Sequence, residues 1–255
     1  KEQRPLGELI YETNGGKIYN PFITNAVGFE IRFAYNEKVY QIHQYRKPLA
    51  SSVAPVFTIG YSYGGKYLGS DYEYHKIQAM FSKRWFLSVL GIADLHITGG
   101  YVAGEVPYPL LFAHRANQGI YYDERGFNLM NYNEFVSQYY VQGTFDYNFN
   151  GFILNRIPLI GKLKLREVLS VKAVWGGLSN ECNPASGNES LFKFPTAPDG
   201  STQTYTLEKE PYVEGGIGIA NIFSILRIDY VRRFNYLDHP EADKWGIFFS
   251  LKVKF

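Results

Sequence analysis

Along most of the chain, apolar and polar side chains alternate in stretches of about ten residues, separated by turn-rich segments. The clearest stretch is 244–255. There Trp245, Ile247, Phe249, Leu251, Val253 and Phe255 share one side, and Lys244, Gly246, Phe248, Ser250, Lys252 and Lys254 share the other. Val27, Phe29, Ile31, Phe33 and Tyr35 oppose Gly28, Glu30, Arg32, Ala34 and Asn36 in the same way. Segments 57–63, 72–81, 87–103, 139–149, 163–175, 213–219 and 226–231 carry this period too, with Glu167 the one discord in 163–175. A period of two predicts strands, about nine of them, most near the roughly 9 to 11 residues that cross a bilayer at a tilt. Strands of soluble sandwiches are shorter, about 5 to 6 residues.

One side of each predicted strand is apolar enough to need an apolar medium. The other side carries Arg, Lys, Asp and Gln in several strands at once, which suits a wet lumen. The expected fold is therefore all-β, an antiparallel transmembrane β-barrel, because a sheet edge has no hydrogen-bond partner in lipid and the sheet must close. Bacterial barrels have an even strand number. An odd count predicts further strands, within residues 6–20 or upstream of Lys1, so residues 1–255 are read as the C-terminal part of a larger barrel domain. A start at Lys1-Glu-Gln-Arg, without Met or a hydrophobic signal segment, is expected of a mature or truncated portion. Connections 104–132 and 177–210 are long and 235–243 is medium, whereas 150–161 is a moderate turn and 221–224 a tight one. With long loops outside, the chain ends on the periplasmic side. Segment 37–52 is long for a periplasmic turn and is read as a strand extension.

Aromatic residues make up 17% of the chain, with 22 Tyr and 19 Phe against 3 Trp, a balance suited to a membrane interface. A net charge of +2 gives no electrostatic case for nucleic acid. With one cysteine, Cys182, neither an internal disulfide nor a paired-cysteine metal site can form. No run approaches the roughly 18 apolar residues of a membrane helix. The five histidines lack zinc-ligand spacing. Asp94 and His96 share the polar side of one strand, where an opposing serine would complete a hydrolytic triad. No G-x-S-x-G element accompanies them, and a hydrogen-bonding filler is the other reading. Gly215-Gly-Ile-Gly218 lies inside a strand pattern with no helix after it, so these glycines shape a wall. In loop 104–132, Leu110, Leu111, Phe112, Phe127 and Met130 are too apolar for a free loop. That loop folds either into the lumen or onto neighbouring loops outside. No catalytic residue, metal or cofactor is expected.

Arg125-Gly126-Phe127 in the long loop, Thr144-Phe-Asp-Tyr147, Ala173-Val-Trp175, the glycine-rich strand and the aromatic terminus resemble the C-terminal half of the BamA-type surface-antigen barrels. That resemblance covers roughly residues 104–255. Phe127-Asn-Leu-Met-Asn-Tyr-Asn-Glu-Phe135, Phe149-Asn-Gly-Phe152, Asn155-Arg-Ile-Pro-Leu159 and Lys164-Leu-Arg-Glu-Val168 resemble an uncharacterised Bacteroidota outer-membrane family. Its members place a small carboxypeptidase-regulatory-like domain before such a barrel. The resemblance implies a barrel of roughly 16 strands in a bacterial outer membrane. It also implies periplasmic domains upstream, and lipid together with other outer-membrane or periplasmic proteins as partners. The implied role is to assist insertion or export of outer-membrane or surface proteins, without enzymatic activity. By the same resemblance Arg125 reaches into the lumen, with Gly126 and Phe127 completing its motif and Asp146 as acceptor. Ser170 stands where the family has a second acid, and Glu124 where it has a hydrophobic residue. Gly246, Phe249, Leu251, Val253 and Phe255 resemble the signal by which assembly machinery recognises its clients. The alternative function is a passive pore or a structural subunit of a cell-envelope complex.

Overall fold

The computed structural model describes residues 2–3, 11–19, 22–42, 44–48, 53–196, 200, 202–207, 210–240 and 242–251. Nine strands form one antiparallel sheet: β1 (Ala26–Ala34), β2 (Val56–Gly64), β3 (Tyr74–Phe86), β4 (Ile92–Ala103), β5 (Tyr139–Asn148), β6 (Arg166–Gly177), β7 (Tyr212–Ile222), β8 (Leu226–Arg233) and β9 (Trp245–Leu251). Each strand pairs with the next in sequence, so the sheet is an up-and-down meander. Among the described residues β1 and β9 are its two edges and are not paired with each other. The expected all-β antiparallel architecture is present, as an open sheet.

The predicted outer sides are outer in the structure. Phe29, Ile31, Ile97, Val141, Val171, Trp175, Ile217 and Ile247 are exposed on one face of the sheet. The opposite face buries Thr144, Ser170, Lys172, Glu214, Arg227, Asp229 and Arg233. This reverses the polarity of a soluble protein, in which large apolar side chains face the interior. It follows from the period of two, which fixes which residues share a face once any one of them is placed.

Two strand boundaries differ from the sequence reading. Alternation predicts a strand beginning at Leu87, but residues 88–90 form a 3₁₀ turn and β4 begins at Ile92. Gly91, at φ 114°, closes this turn, and a Cβ there would lie 1.9 Å from the Asn148 carbonyl oxygen. Similarly, residues 160–163 form a 3₁₀ turn and β6 begins at Arg166. The discordant Glu167 is explained by the preceding 3₁₀ turn, residues 154–156, because its carboxylate accepts the Leu154 N–H. Segment 37–52 is a hairpin in its described part, pairing Val39–Ile42 with Tyr45–Pro48, which matches the expected strand extension.

Turns 87–91, 149–165 and 223–225 and the described part of connection 35–55 lie at one end of the sheet. The long connections lie at the other, where they form an apolar cap. Leu110, Leu111, Phe112, Met130 and Phe135 from the 104–138 connection pack there with Phe22, Phe192 and Leu207 from other loops and Val102, Val174 and Tyr212 from strand ends. Cys182, expected as a loop thiol, is buried in this cap, its Sγ 3.2 Å from the Gly104 carbonyl. His114 is buried there as well, with Nε2 2.9 Å from Ser137 Oγ.

Two tests follow from these packing features. Gly91→Ala should destabilise the sheet by at least about 1–3 kcal/mol, since it adds a strained φ and a backbone clash, and the shift should be visible in the denaturation midpoint. Burial pushes the His114 imidazole down to about 4, below the 6.5 of a free histidine. The native state thus binds fewer protons than the unfolded chain between those values. His114's contribution, about 3 kcal/mol, is complete above pH 6.5 and is lost as the pH falls towards 4. Protease cleavage of the cap should rise over that window, and His114→Gln should flatten the dependence.

Candidate functional site on the inner face

The 104–138 connection does more than cap the sheet. After the cap residues it descends along the inner face, and the segment 120–130 lies against β6, β7, β8 and β9. Leu129 and Tyr122 pack on Val231 of β8 and Phe248 of β9. Of the two placements open from sequence, the loop adopts both, one part on neighbouring loops and one part on the inner face.

A loop backbone carried against a sheet must find partners for its N–H and C=O groups. Two strand side chains supply them. Lys172 of β6 donates to the carbonyls of Asp123 and Gly126, the latter at 2.7 Å. Glu214 of β7 accepts the N–H groups of Asn128 (2.8 Å) and Leu129 (3.1 Å). The two side chains are 3.8 Å apart and only 2% and 1% exposed. Each neutralises the other, so neither stands as an isolated buried charge. Gly126 is where this approach is tightest, because a Cβ would meet Asp123 Oδ2 at 2.8 Å and Arg115 Cγ at 3.0 Å. Phe127 follows it fully buried, edge-to-face on Tyr212 with centroids 5.1 Å apart. Asp123 closes the loop turn by accepting the Arg125 N–H at 2.9 Å and Arg115 Nε at 2.7 Å. Although burial acts to raise its pKa, the N–H groups of Arg125 and Gly126 hold the Asp123 carboxyl below the usual carboxylate range.

Deeper on the same face, Arg227 of β8 forms a fork with Asp229, with both bonds 2.7 Å, and reaches Asp146 of β5 at 3.2 Å. Asp229 fits because residue 218 is glycine, where a Cβ would lie 2.3 Å from Asp229 Oδ1. The Tyr122 ring lies near both cations, 4.4 Å from Lys172 Nζ and 4.5 Å from Arg227 Cζ. Its hydroxyl donates to Asp146 at 3.4 Å. Nearer the cap, the fully buried Arg233 binds Glu134 at 2.5 and 3.1 Å, and His239 Nδ1 stands 2.9 Å from the same carboxylate. This ties the 234–244 connection to the 104–138 connection.

The sequence reading pairs Arg125 with Asp146, and that pairing is corrected here. Asp146 is bound by Arg227 and Tyr122. Arg125 is exposed and held through its backbone, its carbonyl accepting Gln142 Nε2 at 3.1 Å. The turn at Asp123 and Gly126 points carbonyls inward, so the loop requires a cation from the sheet and does not deliver one to it. Arg125 and Asp146 do line one cavity of about 460 Å³, together with Arg84, Asp94, His96 and Arg227. Ser82 stands opposite His96 in the β3–β4 register, yet both Asp94 oxygens are taken by Arg84, at 2.6 and 2.9 Å. Among the described residues His96 Nδ1 is buried without a hydrogen-bond partner, so no carboxylate there orients the imidazole as hydrolysis requires. Of the terminal residues, Gly246, Phe249 and Leu251 lie in β9, and Val253 and Phe255 lie outside the described residues. No group of three or more potential metal ligands occurs among the described residues.

Lys172, Glu214, Arg227 and Arg233 were not singled out from sequence. Their only signal was their place on the polar side of alternating strands. Lys172→Met alone should cost about 3–5 kcal/mol by leaving Glu214 buried and unpaired. Adding Glu214→Gln should recover part of that loss in a double-mutant cycle. Hydrogen exchange of the Asn128 and Leu129 amides should accelerate in the single variant, and unchanged protection there would refute the assignment.

No curated protein matches the chain at a significant level. Among solved structures, the chain is similar to BamA from Haemophilus ducreyi lacking POTRA domains 1–3. The TM-score is 0.50 at 14% identity, over 94% of this chain and 45% of that one. At that identity the likeness concerns the fold, and the chain spans less than half of that structure's length. Residues 16–180, more than half of the chain, match the model of the DUF5686 C-terminal domain, described as a family of unknown function, and the chain belongs to that family.

Proposed function

We propose that the chain is the C-terminal part of a transmembrane β-barrel in a bacterial outer membrane, with a BamA-type role in inserting or exporting other outer-membrane or surface proteins. Lipid as the outer solvent is supported by the exposed apolar face, where Ile217 is 64% exposed and Phe29 60%. Further strands would then close the barrel between β1 and β9.

One observation carries the assembly role. The free edge of β9 is bridged by the long loop, with the Tyr122 N–H donating to the Phe249 carbonyl at 2.8 Å and the Phe249 N–H to the Ile120 carbonyl at 2.9 Å. Among the described residues this short main-chain contact is what covers the edge, and it can be exchanged for the main chain of a client strand or of a barrel strand, as in β-augmentation. The Arg125-Gly126-Phe127 motif, in this reading, sets the depth of the loop and so the position of residues 120–122. The second reading, a passive pore or structural subunit, draws on the charged cavity beneath Arg125.

Joining Tyr121→Cys to Phe249→Cys by a disulfide should lock the edge and lower the yield of newly assembled outer-membrane proteins, with reduction restoring it. An unchanged outer-membrane proteome after locking, and after depletion of the protein, would remove the assembly role. Large, steady conductance in planar bilayers, insensitive to Arg125→Ala, would favour the pore.

A further inference from the structure

The short-turn end of the sheet carries apolar side chains that are exposed among the described residues. Phe223 is 89% exposed and Leu159 80%, and Val89, Ile153, Ile157 and Leu163 are exposed with them. They come from three separate connections, 87–91, 149–165 and 223–225, at one end of the sheet. Leu159 also holds φ 73°, a strained position for a side chain with a Cβ. Solvation does not explain a leucine that is both strained and exposed.

Among the described residues positive charge predominates around these side chains, and the acid that borders them, Glu167, is engaged with the Leu154 N–H. Residues 149–166 contain Arg156, Lys162, Lys164 and Arg166 and no acid, and the other two turns carry no charge. In the remaining connection at this end, Glu37 is bound by Arg32 at 2.5 Å.

Internal bonds hold the 149–165 connection in one shape. The Glu167 carboxylate accepts the Leu154 N–H, Asn221 Nδ2 donates to the Lys164 carbonyl at 2.7 Å, and Arg156 lies 4.1 Å from the Phe152 ring centroid. A Cβ on Gly161 would meet the Asn155 carbonyl oxygen at 2.6 Å, so the two 3₁₀ turns pack closely. The apolar side chains are therefore presented outward by a preformed element.

We propose that the 149–165 connection, with turns 87–91 and 223–225, is an interfacial anchor that seats in the headgroup layer of an anionic phospholipid leaflet. Leu159, Leu163 and Phe223 enter the acyl boundary while Lys162, Lys164 and Arg156 meet phosphates. Here apolar tips spread over three turns continue the sheet's exposed face, cations predominate around them, and the two nearby acids, Glu37 and Glu167, are already bound, a combination that suits an anionic lipid surface. The inference rests on the membrane-spanning reading of the sheet and not on the assembly role.

The test uses the full-length protein in vesicles, with or without phosphatidylglycerol in a phosphatidylcholine bilayer. Nitroxides are placed at Leu159→Cys, at Ile217→Cys on the outer face and at Tyr67→Cys in a loop at the opposite end. Cys182 is buried, so labelling is confined to the introduced thiol. The expected result is a Leu159 site reached by oxygen and several-fold less accessible to a water-soluble nickel complex than the Tyr67 site. It should be deeper with phosphatidylglycerol and shallower in Lys162→Gln/Lys164→Gln. A Leu159 site as wet as Tyr67, while Ile217 reports lipid, overturns the anchor and leaves the membrane reading intact. Wetness at both Leu159 and Ile217 overturns both. A Leu159 site that is wet in vesicles and immobilised only by an added periplasmic protein would replace the lipid with a protein partner.

Discussion

A polypeptide backbone laid on a sheet cannot leave its N–H and C=O groups without partners, and the arrangement of the inner face follows from how those of residues 123–129 are met. The loop has no ladder of its own at that depth, so β6 provides a cation for its carbonyls and β7 a carboxylate for its amides. Lys172 and Glu214 are complementary to each other as well as to the loop, and this is why two charges persist where almost no water reaches. Remove the loop and both side chains would need water; remove either side chain and the loop backbone would lose its partners.

The same logic extends outward from that pair. Tyr122 can lie beside Lys172 and Arg227 because two acids, Asp229 and Asp146, hold Arg227 in place. Asp229 in turn has room only because residue 218 lacks a side chain. Glu134 joins two surface connections through Arg233 and His239, so the apolar cap and the descending loop are parts of one bonded arrangement. Of the glycines read from sequence as shaping a wall, Gly216 makes space for the Ser170 hydroxyl and Gly218 for the Asp229 carboxylate, whereas Gly215 faces the Phe234 ring.

Polarity divides the molecule more sharply than topology does. A meander of nine strands is a simple connection pattern, and alternation alone decides that its apolar side chains face away from the loops. This division ties the sheet to a membrane in the proposed function, and at the short-turn end the apolar character continues past the strands into the turns. Edges are the other point of tension. Among the described residues β9 meets a short stretch of loop on its free side, a weaker closure than a full strand ladder.

The strands of the nine-stranded sheet, their two faces and the long and short ends were legible in the sequence, because a period of two is a local property that survives in the folded state. Boundaries next to Gly91 and Glu167 were not, since a 3₁₀ turn can continue an apolar pattern without continuing the strand. Arg125 drew the inner-face role because a resemblance places a motif but not its contacts. Which cation meets Asp146 depends on the turn at Asp123 and Gly126 and on a strand 81 residues away in sequence. Sequence by itself thus determined what each strand presents to its two sides. Only the tertiary structure decided which inner charges meet and how the loop is held, because those pairings join residues that no local period connects.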